Sequence, residues 1–254
     1  DEDAFKNKNV LKALGILSFF YTLPYNDTEL LDSVANSFSI SSDELREAFD
    51  KLHSLDLIEL NYQHVRIGEQ NLSTYFFYKV FIKDRLLSFE SLWNKYFEKQ
   101  EHRFKDTIYP IHENFGKEFI TKEIKPTLLS YWLSIQLNED KAFRFLNFAW
   151  EFLPVQCIVY LEARINTCAP NIITELTTKY EANDFASLSK QEKHLHLLAN
   201  FLKMPTFFLD KLELSFIFTE KQTQHLPQLF YHIDQKVNFI DENYINHFES
   251  HANL

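Results

Sequence analysis

Three glycines, Gly15, Gly68 and Gly116, serve a chain of 254 residues, where average composition would supply roughly 7%. Phosphate loops, dinucleotide-binding turns and tight β-hairpins rely on backbone positions that favour glycine. Such scarcity argues against them and points to helices joined by short polar or proline turns. The expected fold class is therefore mostly α. With 45% hydrophobic and 16% aromatic residues, the chain has material for a packed core and lies outside the composition of disordered segments. Its length suits two ordinary domains.

Charge and cysteine usage narrow the function classes. The formal net charge is −10, and residues 1–90 carry 9 basic against 15 acidic side chains while the remainder carries 17 against 21. Neither half has the lysine and arginine surplus that binding a polyanion requires. Cys157 and Cys168 form no CxxC pair, which suits a reducing cytoplasm and buried, inert thiols better than a disulfide framework. Asp1-Glu2-Asp3 offers no positive leader region, and the most apolar stretch, Leu14 to Leu23, is about half of the roughly 20 residues a membrane span needs. The expectation is a soluble cytoplasmic protein with no membrane anchor. The start at Asp1, without an initiating Met, reads as a piece excised from a longer chain.

Periodicity organises the first third. Val10, Leu11, Leu14, Leu17, Phe20 and Tyr21 recur at spacings of three and four, which predicts a helix over residues 9–23 that stops before Pro24. Asp27 can cap a second helix to Ser37 that buries Leu30, Leu31, Val34 and Ala35. Ser41 and Glu44 make a capping box ahead of a third helix with Leu45, Ala48, Phe49, Leu52 and Leu55 inward. Residues 57–62 and 64–68 alternate partially and predict a two-stranded ribbon. Three helices followed by a ribbon form a winged helix-turn-helix pattern, assigned to residues 1–85.

Beyond Gly68 the pattern turns helical throughout. Leu72, Tyr75, Phe76 and Val80 make one stripe, widened by Phe77 and Phe81, in a helix expected to couple the two halves. Residues 86–254 read as an irregular, solenoid-like domain of paired helices. It has about ten segments from Ser88 onward, punctuated by Pro110, Pro126, Pro154, Pro170, Pro205 and Pro227. Pro154 and Pro170 suit first helical turns, and Ser189 with Glu192 makes a second capping box. No clean repeat period emerges.

The run Leu52 to Leu60, followed by Val65 to Tyr78, resembles the winged-helix segment after the ATPase core of bacterial signal-transduction ATPases with numerous domains, the NACHT-like relatives. There the ribbon leads into an Asp/Glu-Gln-x-Leu-x-x-Tyr helix, matched here by Glu69, Gln70, Leu72 and Tyr75. Residues 126–132 and 145–150 are similar in texture to the helical region that follows, so the resemblance spans residues 9–150. It implies that the winged helix packs on an upstream nucleotide-binding core. Glu69, Gln70, Leu72, Tyr75 and Phe76 would then couple the domains. A winged-helix histidine reaches the nucleotide phosphate in some related ATPases, which makes His53 and His64 the residues to consider for nucleotide sensing. No GxxxxGK[ST] occurs, so the catalytic equipment would lie in the parent chain.

The chemistry-bearing residues each have a plainer explanation. The outward positions of the third helix hold Asp43, Glu44, Glu47 and Asp50 against Arg46 and Lys51, which repels phosphates. A protein-packing surface, with Glu47 and Lys51 as an i,i+4 pair, explains it better. His194 and His196 point about 200° apart on a helix. His247 and His251 share a face but lack a third ligand, and there is no HExxH. No GxSxG occurs, and Glu139-Asp140 and Asp241-Glu242 suit helix starts. Phe143, Phe145, Phe148, Trp150 and Phe152, like Phe207, Phe208, Phe216 and Phe218, are expected to pack between helices. No catalytic residue, cofactor or metal is assigned. The function expected is regulation through protein contacts, with an ATPase core of the parent chain and a signalling partner. The alternatives are a DNA-binding winged-helix transcription regulator and a plain helical-repeat scaffold.

Overall fold

The computed structural model describes residues 6–61, 63–172, 188–204 and 208–237. They belong to two compact units, Asp1–Leu153 and Pro154–Leu254, and the described residues are mostly helical with one small antiparallel sheet. No helix among them is long and apolar enough to cross a membrane.

The first unit is built around α1 (Lys8–Phe20). Asn7 caps it, and every residue from Ala13 to Phe20 is buried. The expected one-sided stripe is thus a helix enclosed on all sides, as a hydrophobic run without a polar face requires. The chain turns sharply at Tyr21 into strand β1 (Thr22–Pro24). α2 (Thr28–Ser37) follows, capped by Asp27, and then α3 (Ser42–Ser54), whose Ser41–Glu44 capping box forms as expected. Strands β2 (Glu59–Asn61) and β3 (His64–Arg66) pair antiparallel, and β3 also pairs with β1, giving the order β1-β3-β2.

The sheet therefore has three strands where the sequence predicted two. Thr-Leu-Pro is too short to show alternation, and it continues an apolar run that reads as helix. Its proline is tolerated because β1 is an edge strand. Leu30, expected inside α2, stands 46% exposed, while Leu31, Val34 and Ala35 face inward.

α4 (Gln70–Phe77) runs directly into a π-helical segment, Tyr78–Lys83. Together they bury Ser73, Phe76, Phe77, Val80, Phe81 and Ile82, and they pack on α1. The contact is close: a Cβ built on Gly15 would lie 2.5 Å from Val80 Cγ1. Tyr75, expected in the buried stripe, is 43% exposed, while Ser73, Phe76 and Phe77 take the inward positions of α4.

α5 (Phe89–Asn114), α6 (Lys117–Ile135) and α7 (Glu139–Ala149) complete the unit. Pro110 and Pro126 lie inside α5 and α6 instead of separating helices. The conformational break in α5 falls at Gln100. The aromatic core is continuous. Phe19 of α1 lies 4.7 Å from Phe104 of α5, Trp93 stacks on Phe97 at 4.0 Å, and Phe145 and Phe148 of α7 close around them. A boundary at residue 85 would cut through this cluster, and it falls inside the first unit.

The second unit contains α8 (Pro154–Thr167), α9 (Lys190–Asn200), α10 (Phe208–Lys221) and α11 (Leu226–Val237). Pro154 opens α8, and the Ser189–Glu192 capping box opens α9, both as expected. Pro170 opens no helix over residues 170–172, where Asn171 instead forms a bridge with Gln222. Seven α-helices follow Ser88 among the described residues; the expected ten segments also draw on residues 173–187 and 238–254, which lie outside them.

The Gly15 contact generates a test. Ala is ordinarily better than Gly in a helix by about 1 kcal/mol. Here its methyl meets Val80, so Gly15→Ala should instead lower stability, by about 1–3 kcal/mol, and the double variant with Val80→Ala should recover part of that loss in urea denaturation.

Candidate functional site

The residues singled out in the sequence do not converge on one point. Glu69 precedes α4 without a side-chain cap, and Gln70 begins it exposed, its carbonyl accepting from Thr74 Oγ1 at 2.9 Å. Leu72 is half-buried, and Phe76 is buried with Tyr75 edge-on at 5.2 Å. His53 sits near the end of α3 with Nδ1 3.3 Å from the Ile58 carbonyl, whereas His64 is exposed on β3. The α3 acids are outward. Asp50 accepts from the Tyr25 hydroxyl at 2.7 Å, Glu44 is taken up by the capping box, and Arg46 reaches Thr28 and Asp43. Among the described residues no ion pair joins Glu47 to Lys51, contrary to expectation.

Sequence reading missed the region where unusual features coincide, the junction of α1, β1, α4 and the middle of α5. Two clefts open there. One, of about 420 Å³, is lined by Ser18, Tyr21, Gln70, Thr74, Asp106 and Pro110 among others. The other, of about 360 Å³, is lined by β1 together with Leu30, Ser33, Gln100 and His102. Arg103 lines both.

Four local departures from regular structure meet at these clefts. Tyr21 adopts φ 66°, ψ −42°, with its N–H donating to the Leu17 carbonyl at 2.6 Å. This is close to the strained classic γ-turn, unusual for a residue with a side chain. Its ring lies under the Arg103 guanidinium at 5.6 Å, a cation–π contact. Ser18 is 4% exposed, and its hydroxyl has no hydrogen-bond partner. Pro110 has no N–H to give the Asp106 carbonyl one turn earlier.

Arg103 itself makes no ion pair or side-chain hydrogen bond among the described residues. Lys105 forms an ion pair with Glu101 at 2.8 Å, sharing that carboxylate with Arg144. The nearby network of Glu98, Glu101, Lys141 and Arg144 is internally paired, and it pushes the Tyr131 hydroxyl up to about 12 through burial and the Glu98 charge. Ser18, amid the apolar run Leu14–Phe20, and Pro110, in a helical stretch, are signals a sequence could have offered. Arg103 offered none, because Tyr21 is remote from it in the chain.

Other titratable groups are explained by packing. His112 is buried against Phe152, its Nε2 3.1 Å from Thr121 Oγ1 and its Nδ1 3.8 Å from a Glu151 oxygen. Burial first, and then the Lys117 charge, push its pKa below the usual value. Cys157 is buried, which pushes its thiol up, while Cys168 is half-buried. In the second unit His194 meets Tyr160 edge-on at 6.0 Å and His196 meets His232 at 5.2 Å, so the two diverge as their spacing requires. His247, His251, Phe207 and the Asp241-Glu242 pair lie outside the described residues. Among the described residues no group of three or more His, Cys, Asp or Glu could hold a metal ion. No protein family, curated protein or solved structure matches the chain.

Three measurements follow. Ser18→Ala removes an unpaired buried hydroxyl from a helix and should raise stability by about 1 kcal/mol. A thiol reagent should label Cys168 in the native protein and reach Cys157 only after denaturation. Below about pH 6.5 an unfolded His112 takes a proton that the folded protein refuses. Stability should therefore fall as pH drops through that region, and His112→Gln should reduce the slope. Tryptophan fluorescence reports it, since Trp93, Trp132 and Trp150 all lie in the first unit.

Proposed function

We propose that this chain is the non-catalytic regulatory part of a multidomain bacterial signalling ATPase. In this reading the N-terminal elements form a winged helix that packs on an upstream nucleotide-binding core in the cytoplasm. The helical remainder relays the state of a partner. The element order α1-β1-α2-α3-β2-β3 and the small antiparallel sheet of order β1-β3-β2 support this reading. So does the run from Glu69 to Tyr75, which begins α4 immediately after the sheet.

The observation that carries the reading is the chemistry of α3. In a winged helix that reads DNA, this helix enters the major groove and needs cations toward the phosphates. Here Asp43, Glu44, Glu47 and Asp50 face outward, and Arg46 is occupied by Thr28 and Asp43. Such a face suits contact with a basic protein surface.

Two experiments test the proposal. The chain, added to the nucleotide-binding core encoded in the same reading frame, should change its ATP hydrolysis by about fivefold or more. A reading frame with no phosphate-loop core upstream overturns the proposal. Duplex DNA at physiological salt should show no measurable binding, whereas salt-dependent affinity there would favour a transcription regulator.

A further inference from the structure

We propose that the clefts flanking Arg103 dock an extended, acidic segment of a partner protein, which adds to the open edge of β1 and places a carboxylate on the Arg103 guanidinium. This gives the partner role proposed above a location, and it rests on that reading only for there being a partner.

The open edge follows from the ladder. The Ile67 N–H donates to the Tyr21 carbonyl at 3.4 Å and the Tyr25 N–H to the Gln63 carbonyl at 2.6 Å, with Leu23 opposite Val65. Alternation then turns Tyr21, Leu23 and Tyr25 toward β3 and leaves Thr22 and Pro24 facing away. Thr22 so offers an N–H and a carbonyl, and Pro24 a carbonyl, to the cleft that all three strand residues line. An unpaired edge in a groove is the geometry for strand addition by a peptide. Leu30, unexpectedly exposed, lines the same cleft and supplies an apolar seat beside the cationic one.

Charge selects what the peptide carries. Arg103 is the cation common to both clefts, set over the Tyr21 ring and, among the described residues, making no ion pair. A guanidinium binds a planar carboxylate through two parallel hydrogen bonds. Lys105 shares the Glu101 carboxylate with Arg144, and the Asp106 carboxyl lines the same wall. Three cations, Arg103, Lys105 and Arg144, thus stand against two carboxylates, which leaves one net positive charge, so a phosphate dianion would be under-compensated. Extended chains present residues two apart on one face, which allows an acidic and an apolar side chain to fill the two seats together. A free organic acid would use Arg103 but leave the β1 edge and Leu30 unengaged.

The test uses the isotopically labelled full chain, following the Arg103 Nε–H and Thr22 amide signals. The probes are the peptide acetyl-Thr-Glu-Thr-Val-Thr-amide, whose Glu and Val are two apart and share a face, its glutamine analogue, succinate and inorganic phosphate. The proposal expects saturable shifts of both signals with the glutamate peptide, and binding weaker by about tenfold or more for the glutamine analogue and for Arg103→Gln. Arg103→Lys, which keeps the charge but loses the fork, should also bind more weakly. Absence of a saturable shift, equal affinity for the glutamine peptide, or undiminished binding to Arg103→Gln overturns the proposal. Succinate or phosphate binding as tightly as the peptide does so too. If Arg103→Gln fails to fold, the comparison of the two peptides on the unaltered chain still decides.

Discussion

The approach of α1 to the π-helical segment, at Gly15 against Val80, is the constraint on which the first unit depends. From Ala13 to Phe20, α1 presents no exposed face and must be covered all round. A side chain at position 15 would push the α4–π helix away and open the core on that side. With glycine there, Val80 seats against the α1 backbone and Phe77 reaches the Phe19 ring. Phe19 in turn touches Phe104, and from there the aromatic cluster extends through Trp93 and Phe97 to α7. One of only three glycines in the chain thus holds together elements drawn from residues 8 to 149.

What was legible in the sequence is what local chemistry dictates. Both capping boxes, the Asp27 cap, the acidic start of α7 and the proline opening α8 are written within a few residues of where they act. The mostly helical character followed from glycine scarcity, and the inward faces of α2 and α3 largely followed from periodicity. Features that depend on distant partners were not legible. β1 exists because β3 lies beside it. Tyr75 turns outward, with its ring beside Phe115, a residue 40 positions further along the chain. Pro110 and Pro126 stay inside helices whose neighbouring residues, Ile108, Ile111, Ile124 and Leu128, are buried in the core that distant contacts build.

The candidate site divides in the same way. Gln70 was singled out from a motif and does line a cleft, but the residues that give the cleft its chemistry, Tyr21, Arg103 and Ser18, had no motif to announce them. They stand out as local costs: a strained backbone, an uncompensated guanidinium and an unpaired buried hydroxyl. The backbone and the hydroxyl are unfavourable for stability alone, and their meeting with an unpaired guanidinium at one junction is what separates it from the paired network of Glu98, Glu101, Lys141 and Arg144 nearby.

The sheet order has a kinetic consequence. β2 and β3 are neighbours in sequence and can pair early, since closing a short loop costs little chain entropy. β1 joins the far side of β3 only after α2 and α3 have been placed between them, a non-local step of the kind that slows folding. The edge that borders the clefts is therefore assembled late and held by a three-residue ladder. In native-state hydrogen exchange it would behave as a separate low-stability unit, opening while α1 and the aromatic core stay closed.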